Sequence, residues 1–120
     1  LTMPMIRTRW GRIITVSSVA AVAGNRGQVN YSAAKGALHS ATKSLSLELA
    51  SRGITVNAVA PGIIATNMID GSFDEKMIQN MVPMKRAGKP EEVADLIAFL
   101  ASEHAGYISG QVISINGGMI

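Results

Sequence analysis

The sequence predicts an α/β fold built on a parallel sheet, and three observations carry that prediction. Strand-length and helix-length stretches alternate in the order strand, helix, strand, helix, strand, which requires right-handed crossovers with helices on the faces of the sheet. The leading strand is β-branched and uninterrupted, as strands buried on both faces are. Apolar residues make up 48% of the 120 and charged residues only 16%, so the chain can fill a core and does not read as disordered.

Taken in order, Arg12-Ile-Ile-Thr-Val-Ser17 is the first strand, with Gly11 in front and small residues behind. Gly24-Asn-Arg-Gly27 reads as a loop. A helix follows over 30–51, with Asn30 as its N-cap and apolar residues at Ala34, Ala37, Leu38, Ala41, Leu45 and Leu49. Gly53 ends it, as a residue free to take positive φ just past a helix should. Ile54-Thr-Val-Asn-Ala-Val-Ala60 is the second strand, stopped by Pro61-Gly62. Residues 66–87 are polar and Met-rich, with a short helix expected at 75–81. Pro90 then opens a helix, with Glu91 and Glu92 in its first turn where the dipole favours them. Gln111-Val-Ile-Ser-Ile115 is the third strand, followed by Asn116-Gly-Gly118. Without repeats, linkers or low-complexity tracts, residues 1–120 read as one compact unit.

Composition excludes several function classes. The longest strictly apolar run, Leu96 to Ala101, falls far short of the ~20 residues that a bilayer requires, so no membrane association is expected. The start of the chain carries no apolar leader. Zero cysteines rule out a disulfide scaffold, a thiolate metal site and a cysteine nucleophile, and fit a reducing compartment. The net charge is +3, and Arg7, Arg9 and Arg12 cluster near the start while most acids follow residue 69. Such a basic rim suits an acidic partner or phosphorylated ligand, but five aromatics and no recognisable module give no nucleic-acid binder. Neither His39 nor His104 has a second ligand at usable spacing, so no metal is expected; a helix-end or interface position is the simpler reading of each. Ser18 has no G-x-S-x-G elbow around it, which speaks against a serine hydrolase.

Tyr31 and Lys35 stand four residues apart at the start of the long helix and so share a face. Thirteen residues before Tyr31, at the carboxyl end of the first strand, is Ser18. Ligands of open parallel sheets bind at the carboxyl ends of strands, so a phenol, an ammonium and a hydroxyl converge there. That set suits acid–base work on a carbonyl or alcohol: Ser18 holds the oxygen, Tyr31 gives the proton and Lys35 stabilises the phenolate. None of the three delivers a hydride, so a redox cofactor has to. Ser17 is adjacent, but an extended chain points it to the other side.

Gly11-Arg-Ile-Ile-Thr-Val-Ser-Ser18, Tyr31-Ser-Ala-Ala-Lys35 and Asn57-Ala-Val-Ala-Pro-Gly62 together resemble the short-chain dehydrogenase/reductase family, and within it the bacterial 3-oxoacyl-[acyl-carrier-protein] reductases. Ala87-Gly-Lys-Pro-Glu-Glu-Val93, Tyr107-Ile-Ser-Gly110 and Asn116-Gly-Gly118 continue the resemblance through all 120 residues. It implies a doubly wound (Rossmann) sheet. It implies Tyr31 as proton donor, Lys35 as the group that supports it and binds the nicotinamide ribose, and Ser18 as the residue that orients the carbonyl. Pro61, Gly62 and Ile64 match the segment that passes the nicotinamide, and Thr66 matches the threonine that bonds the carboxamide or pyrophosphate. Arg9 and Arg52 match basic positions near the active-site mouth that meet the acidic carrier protein. Residues 67–85 match the substrate lid, and the methionines at 68, 77, 81 and 84 suit either an acyl channel or adaptable packing.

The resemblance further implies a cytoplasmic homodimer or homotetramer joined through the long helix, whose Ser32, Ala33, Gly36, Ala37 and Ser40 allow close approach. Its substrate would be an acyl-carrier-protein or acyl-CoA thioester. The family's glycine-rich phosphate loop, ribose selector, Asn-Ala-Gly turn and helical asparagine have no counterpart in the sequence, which corresponds to the carboxyl-terminal half of a protein roughly twice as long. The expected activity is NADP(H)-dependent reduction of 3-oxoacyl thioesters. NAD in place of NADP, another alcohol, sugar or steroid substrate, or a silent fragment retaining only assembly elements are the alternatives left open.

Overall fold

The computed structural model describes residues 1–66 and 74–120. A helix α1 (Thr2–Thr8) leads into strand β1 (Gly11–Val16), a one-turn helix α2 (Val19–Ala23) and the long helix α3 (Val29–Leu49). Strand β2 (Ile54–Pro61), helices α4 (Glu75–Met81) and α5 (Pro90–Ala101) and strand β3 (Val112–Ile115) follow. The three strands are parallel in the order β1-β2-β3, with Gly11 beside Ile54, Val16 beside Val59 and Ala58 beside Val112.

The central strand explains the layering. Every residue from Ile54 to Ala60 is buried, and successive side chains serve opposite faces. On one face Ile54 and Val56 pack with Leu49 of α3 and with Met5, Ile6, Ile13 and Leu45. On the other, Val59 packs with Leu100 and Ala105, supported by Ile14, Val93, Leu96, Ile97, Ile108 and Ile113. The expected α/β layering with a parallel sheet is therefore the observed one.

Some local expectations need correction, and a helix over residues 19–23 joins the expected elements. The strands start or end one residue from their expected bounds. Residues 19–23 form a helix because the Ser18 Oγ accepts the Ala20 N–H at 3.2 Å, an N-cap that the alanine run conceals in sequence. Asn30 does not cap α3: the helix begins at Val29, and the Gln28 side chain at the cap position is taken by the Asn25 amide, which donates to its Oε1 at 2.8 Å. The inward face of α3 is not the alanine stripe either. Thr42, Ser46 and Leu49 are buried and Lys35 and His39 half-buried, whereas Ala34, Ala37 and Ala41 are exposed. Polar side chains occupy that face because they have partners there, such as Thr15 Oγ1 at 3.3 Å from Thr42 Oγ1. The helix ends at Leu49, two residues short of the expected Ser51, and a 3-10 turn over Ala50–Arg52 carries the chain to Gly53, whose φ of 74° is left-handed and whose missing Cβ would strike the Arg9 carbonyl.

Candidate active site

Three consecutive residues at the carboxyl end of β1 organise the site. The Val16 carbonyl accepts the Lys35 Nζ at 3.0 Å. Ser17 is buried; its N–H reaches the Val59 carbonyl at 2.7 Å, and its Oγ lies 2.6 Å from His39 Nε2 and 3.2 Å from the Lys35 carbonyl oxygen. Ser18 is extended and caps α2. The Ser18 oxygen thus accepts a backbone N–H, while its own proton stays free to be donated to a ligand oxygen. Tyr31, one turn before Lys35, is half exposed, and its hydroxyl has no hydrogen-bond partner among the described residues. The structure therefore brings Lys35 to the strand end that presents Ser18, with an unengaged phenol on the same helix.

The carboxyl end of β2 lies next to it. Gly62 donates to the Ile115 carbonyl at 2.9 Å, and a Cβ at 62 would come within 2.9 Å of the Asn116 Cα, so only glycine lets β3 approach this closely. The chain beyond is held by a short parallel bridge between Ile64 and Gly88: Gly88 N–H donates to the Ile63 carbonyl at 2.9 Å and Ala65 N–H to the Gly88 carbonyl at 2.8 Å. Thr66 is exposed and ends the described stretch. The first seven residues of the expected lid, 67–73 with Met68 among them, lie outside the described residues; Met77 and Met81 sit on α4 and Met84 on the turn after it.

A cleft of about 380 Å³ opens beside this segment, lined by Ile63, Ile64, Met84, Ile115, Asn116 and the Arg86–Glu92 pair among others. Arg86 grips Glu92 with two hydrogen bonds of 2.8 and 2.7 Å, and the Lys89 N–H adds a third at 2.8 Å. The Arg86 guanidinium, more than the Lys89 N–H, holds the Glu92 carboxyl down to about 2. Ser18, Tyr31 and Lys35 do not line this cleft. It flanks the β2 and β3 ends of the same sheet edge, and they occupy the β1 end.

Arg9 and Arg52 are brought together, but not at the expected mouth. Arg9 precedes β1 and Arg52 precedes β2, so both stand at the amino edge of the sheet, about 20 Å of strand away from Ser18. The Arg9 guanidinium donates to the Ser51 carbonyl at 2.8 Å, closing the end of α3. Sequence reasoning also missed the Ser17–His39 contact, although His39 at four residues past Lys35 shares its helix face. It missed the Arg86–Glu92 pair too, for which a glutamate at the third helical position was the available signal. His39 is neither at a helix end nor free; it is a mid-helix residue turned to the strand end.

A family model described as "Enoyl-(Acyl carrier protein) reductase" matches residues 1–120. The 3-oxoacyl-[acyl-carrier-protein] reductase FabG of Rickettsia typhi is 54% identical over 119 residues, 97% of this chain and 49% of its own length. FabG of Buchnera aphidicola is 54% identical over 117 residues, 96% of this chain and 48% of its own. Nodulation protein G of Azospirillum brasilense is 49% identical over 117 residues, again 96% and 48%. The chain thus spans about half the length of the curated relatives it matches. With a serine at one strand end, a Tyr-x-x-x-Lys pair on α3 and a family match over every residue, the chain belongs to the short-chain dehydrogenase/reductase family.

Proposed function

We propose that this chain is the carboxyl-terminal half of an NADP(H)-dependent reductase that converts 3-oxoacyl thioesters carried on acyl-carrier protein into 3-hydroxyacyl thioesters, working in the cytoplasm as a homodimer or homotetramer. The observation that carries the reading is the tie between Lys35 Nζ and the Val16 carbonyl, two residues before Ser18. It holds the ammonium at the strand end that leads into Ser18, which supports reading that ammonium, the serine hydroxyl and the phenol one turn back on the helix as one site. The names of relatives more than 50% identical support the substrate class.

The residues present fit the nicotinamide end of a dinucleotide. Lys35 has used one of its three N–H donors and keeps two for ribose hydroxyls, and Pro61, Gly62, Ile64 and Thr66 lie at the neighbouring strand end. No glycine-rich loop that would cradle a pyrophosphate occurs in the sequence. The cofactor, NADP or NAD, supplies a hydride to the carbonyl carbon when bound. Ser18 donates its free proton in a hydrogen bond to the carbonyl oxygen and orients it. Tyr31 transfers its hydroxyl proton to that oxygen and is left as a phenolate, which the Lys35 ammonium one turn along the helix stabilises. Solvent returns the proton. Arg9 and Arg52 join this reading as a basic docking pair for the acidic carrier, serving the crevice of a neighbouring copy since they stand at the far edge of their own sheet.

In the complete reductase, Tyr31→Phe should reduce turnover of a 3-oxoacyl thioester by roughly 10²–10⁴-fold with cofactor affinity nearly unchanged, and Lys35→Ala should impair both. Steady-state kinetics with NADPH titration checks this. Near-normal turnover by Tyr31→Phe would sink the mechanism, and reduction of an enoyl thioester in place of the ketone would reassign the substrate.

A further inference from the structure

The contacts around Ser17 leave one proton to be placed. A backbone carbonyl only accepts, and a serine hydroxyl has a single proton to give. Ser17 Oγ lies 3.2 Å from the Lys35 carbonyl oxygen and 2.6 Å from His39 Nε2. Both contacts are hydrogen bonds at once only if His39 Nε2 carries a proton and donates it to Ser17 Oγ, which in turn donates to Lys35. Ser17 is 5% exposed, so water competes little for either bond. The Lys35 carbonyl also accepts the helical N–H four residues on, and its second lone pair receives the serine.

We propose that His39 and Ser17 are positioning residues for the carbonyl reduction: a two-bond relay, His39 Nε2–H to Ser17 Oγ and Ser17 O–H to the Lys35 carbonyl, that fixes the catalytic turn of α3 on the end of β1. The proposal rests on the roles given above to Ser18, Tyr31 and Lys35. Its force comes from sequence adjacency. Val16 holds the Lys35 side chain, Ser17 holds the Lys35 backbone, and Ser18 is the next residue. While both ties stand, Ser18 keeps a fixed distance from the turn that carries Tyr31 and Lys35. Without the relay, the side-chain hydrogen bonds left between β1 and α3 among the described residues are those of the Lys35 ammonium itself and the Thr15–Thr42 contact, which lies on the carboxyl-terminal side of His39 along the helix. The ammonium would then have to position the helix and serve the reaction together.

The test is made on the complete reductase. His39→Ala should lower kcat about tenfold or more, because misplacing reacting groups by an ångström is enough for such losses, while KM for NADPH and for the thioester changes less than twofold. Ser17→Ala should do the same, and the double variant should be no slower than the worse single one, as for two members of one relay. His39→Gln, whose amide nitrogen can stand where Nε2 does, should recover most of the rate. Two measurements read the relay without activity. Long-range ¹H–¹⁵N spectra should show His39 protonated at Nε2, and amide exchange at residues 35–39 should quicken in His39→Ala. An imidazole protonated at Nδ1 alone, a full kcat in His39→Ala, or failure of Gln where Ala also fails would each overturn the proposal. If Tyr31→Phe keeps its activity, the reductase reading falls separately, and the imidazole spectra and amide exchange still decide the relay.

Discussion

At Asn57 the side chain is fully enclosed, and both ends of its amide are used. Nδ2 donates to the Ile108 carbonyl at 2.8 Å and Oδ1 accepts the Gln111 N–H at 3.1 Å. Ser109 Oγ and the Gly110 N–H meet the two backbone groups of Val56 beside it. The Asn57 and Tyr107–Gly110 motifs, which in sequence read as two family signatures, are thus one structural joint that feeds the chain into β3. Removing the amide strands a part-buried acceptor and a part-buried donor at roughly 1–3 kcal/mol each, so Asn57→Ala should lower the unfolding free energy of the complete protein by about 2–6 kcal/mol. Urea unfolding checks it through a lower midpoint at unchanged slope; a loss below ~1 kcal/mol would mean that relaxation or water replaces the amide. The arginines carry a related lesson. Read as charges, Arg9 and Arg12 form a basic rim. In the fold, Arg9 closes the Ser51 carbonyl and Arg12 stacks over Trp10 while donating to the Ser102 carbonyl at 3.0 Å, the end of α5. Net charge is legible in a sequence, but which carbonyl a guanidinium meets is a matter of long-range packing.

Among the elements, α5 was the most legible. Pro90 at its first position and acids in its first turn mark the start locally, and the observed helix opens there. Helix α4 was equally plain, expected and found at residues 75–81. The start of α3 misled because capping depends on which side chain is free, and Asn25 removes Gln28 from the competition. Its inward face misled because Lys35, His39, Thr42 and Ser46 are polar, and apolar periodicity cannot register a face that is held by hydrogen bonds. The start of α5 also makes a pH prediction. Glu92 sits at about 2 in the fold against an ordinary 4.5. A carboxyl depressed by folding contributes stability that is complete above its unfolded value and is lost as pH falls from about 4.5 towards 2. The pair is part-exposed, so the effect should be modest and weaken with salt. Glu92→Gln should flatten the fall in stability across that window while leaving its behaviour above pH 6 parallel to the parent, as denaturant midpoints at several pH values would read. An unchanged acid slope would mean that Arg86 meets Glu92 only loosely in solution.

For the whole molecule, the three parallel strands form part of an α/β sheet, with Ser18 just past the end of β1 and Tyr31 and Lys35 on α3. β2 is covered on both faces and paired on both edges, whereas β1 pairs with β2 alone among the described residues, and its Val16 is half exposed. The radius of gyration of 15.8 Å exceeds the ~13.6 Å of a compact chain of this length, with extents of 50 × 28 × 22 Å. Among the described residues, such an object leaves β1 with an open strand edge, which other chains can pair with. The same division decides ligand binding. On the function proposed above, Lys35 and the Pro61–Thr66 segment would hold the nicotinamide end, but a pyrophosphate is held by the unpaired N–H groups at the start of a helix behind a glycine-rich loop, and the sequence contains no such loop. Residues 1–120 produced alone should therefore neither bind NADPH tightly nor reduce a 3-oxoacyl thioester, and should aggregate unless the amino-terminal half is supplied. Calorimetric titration and light scattering on verified 120-residue material decide this. A monodisperse chain that binds NADPH at micromolar affinity would show that the nicotinamide end suffices and that an amino-terminal half is not needed to order the site.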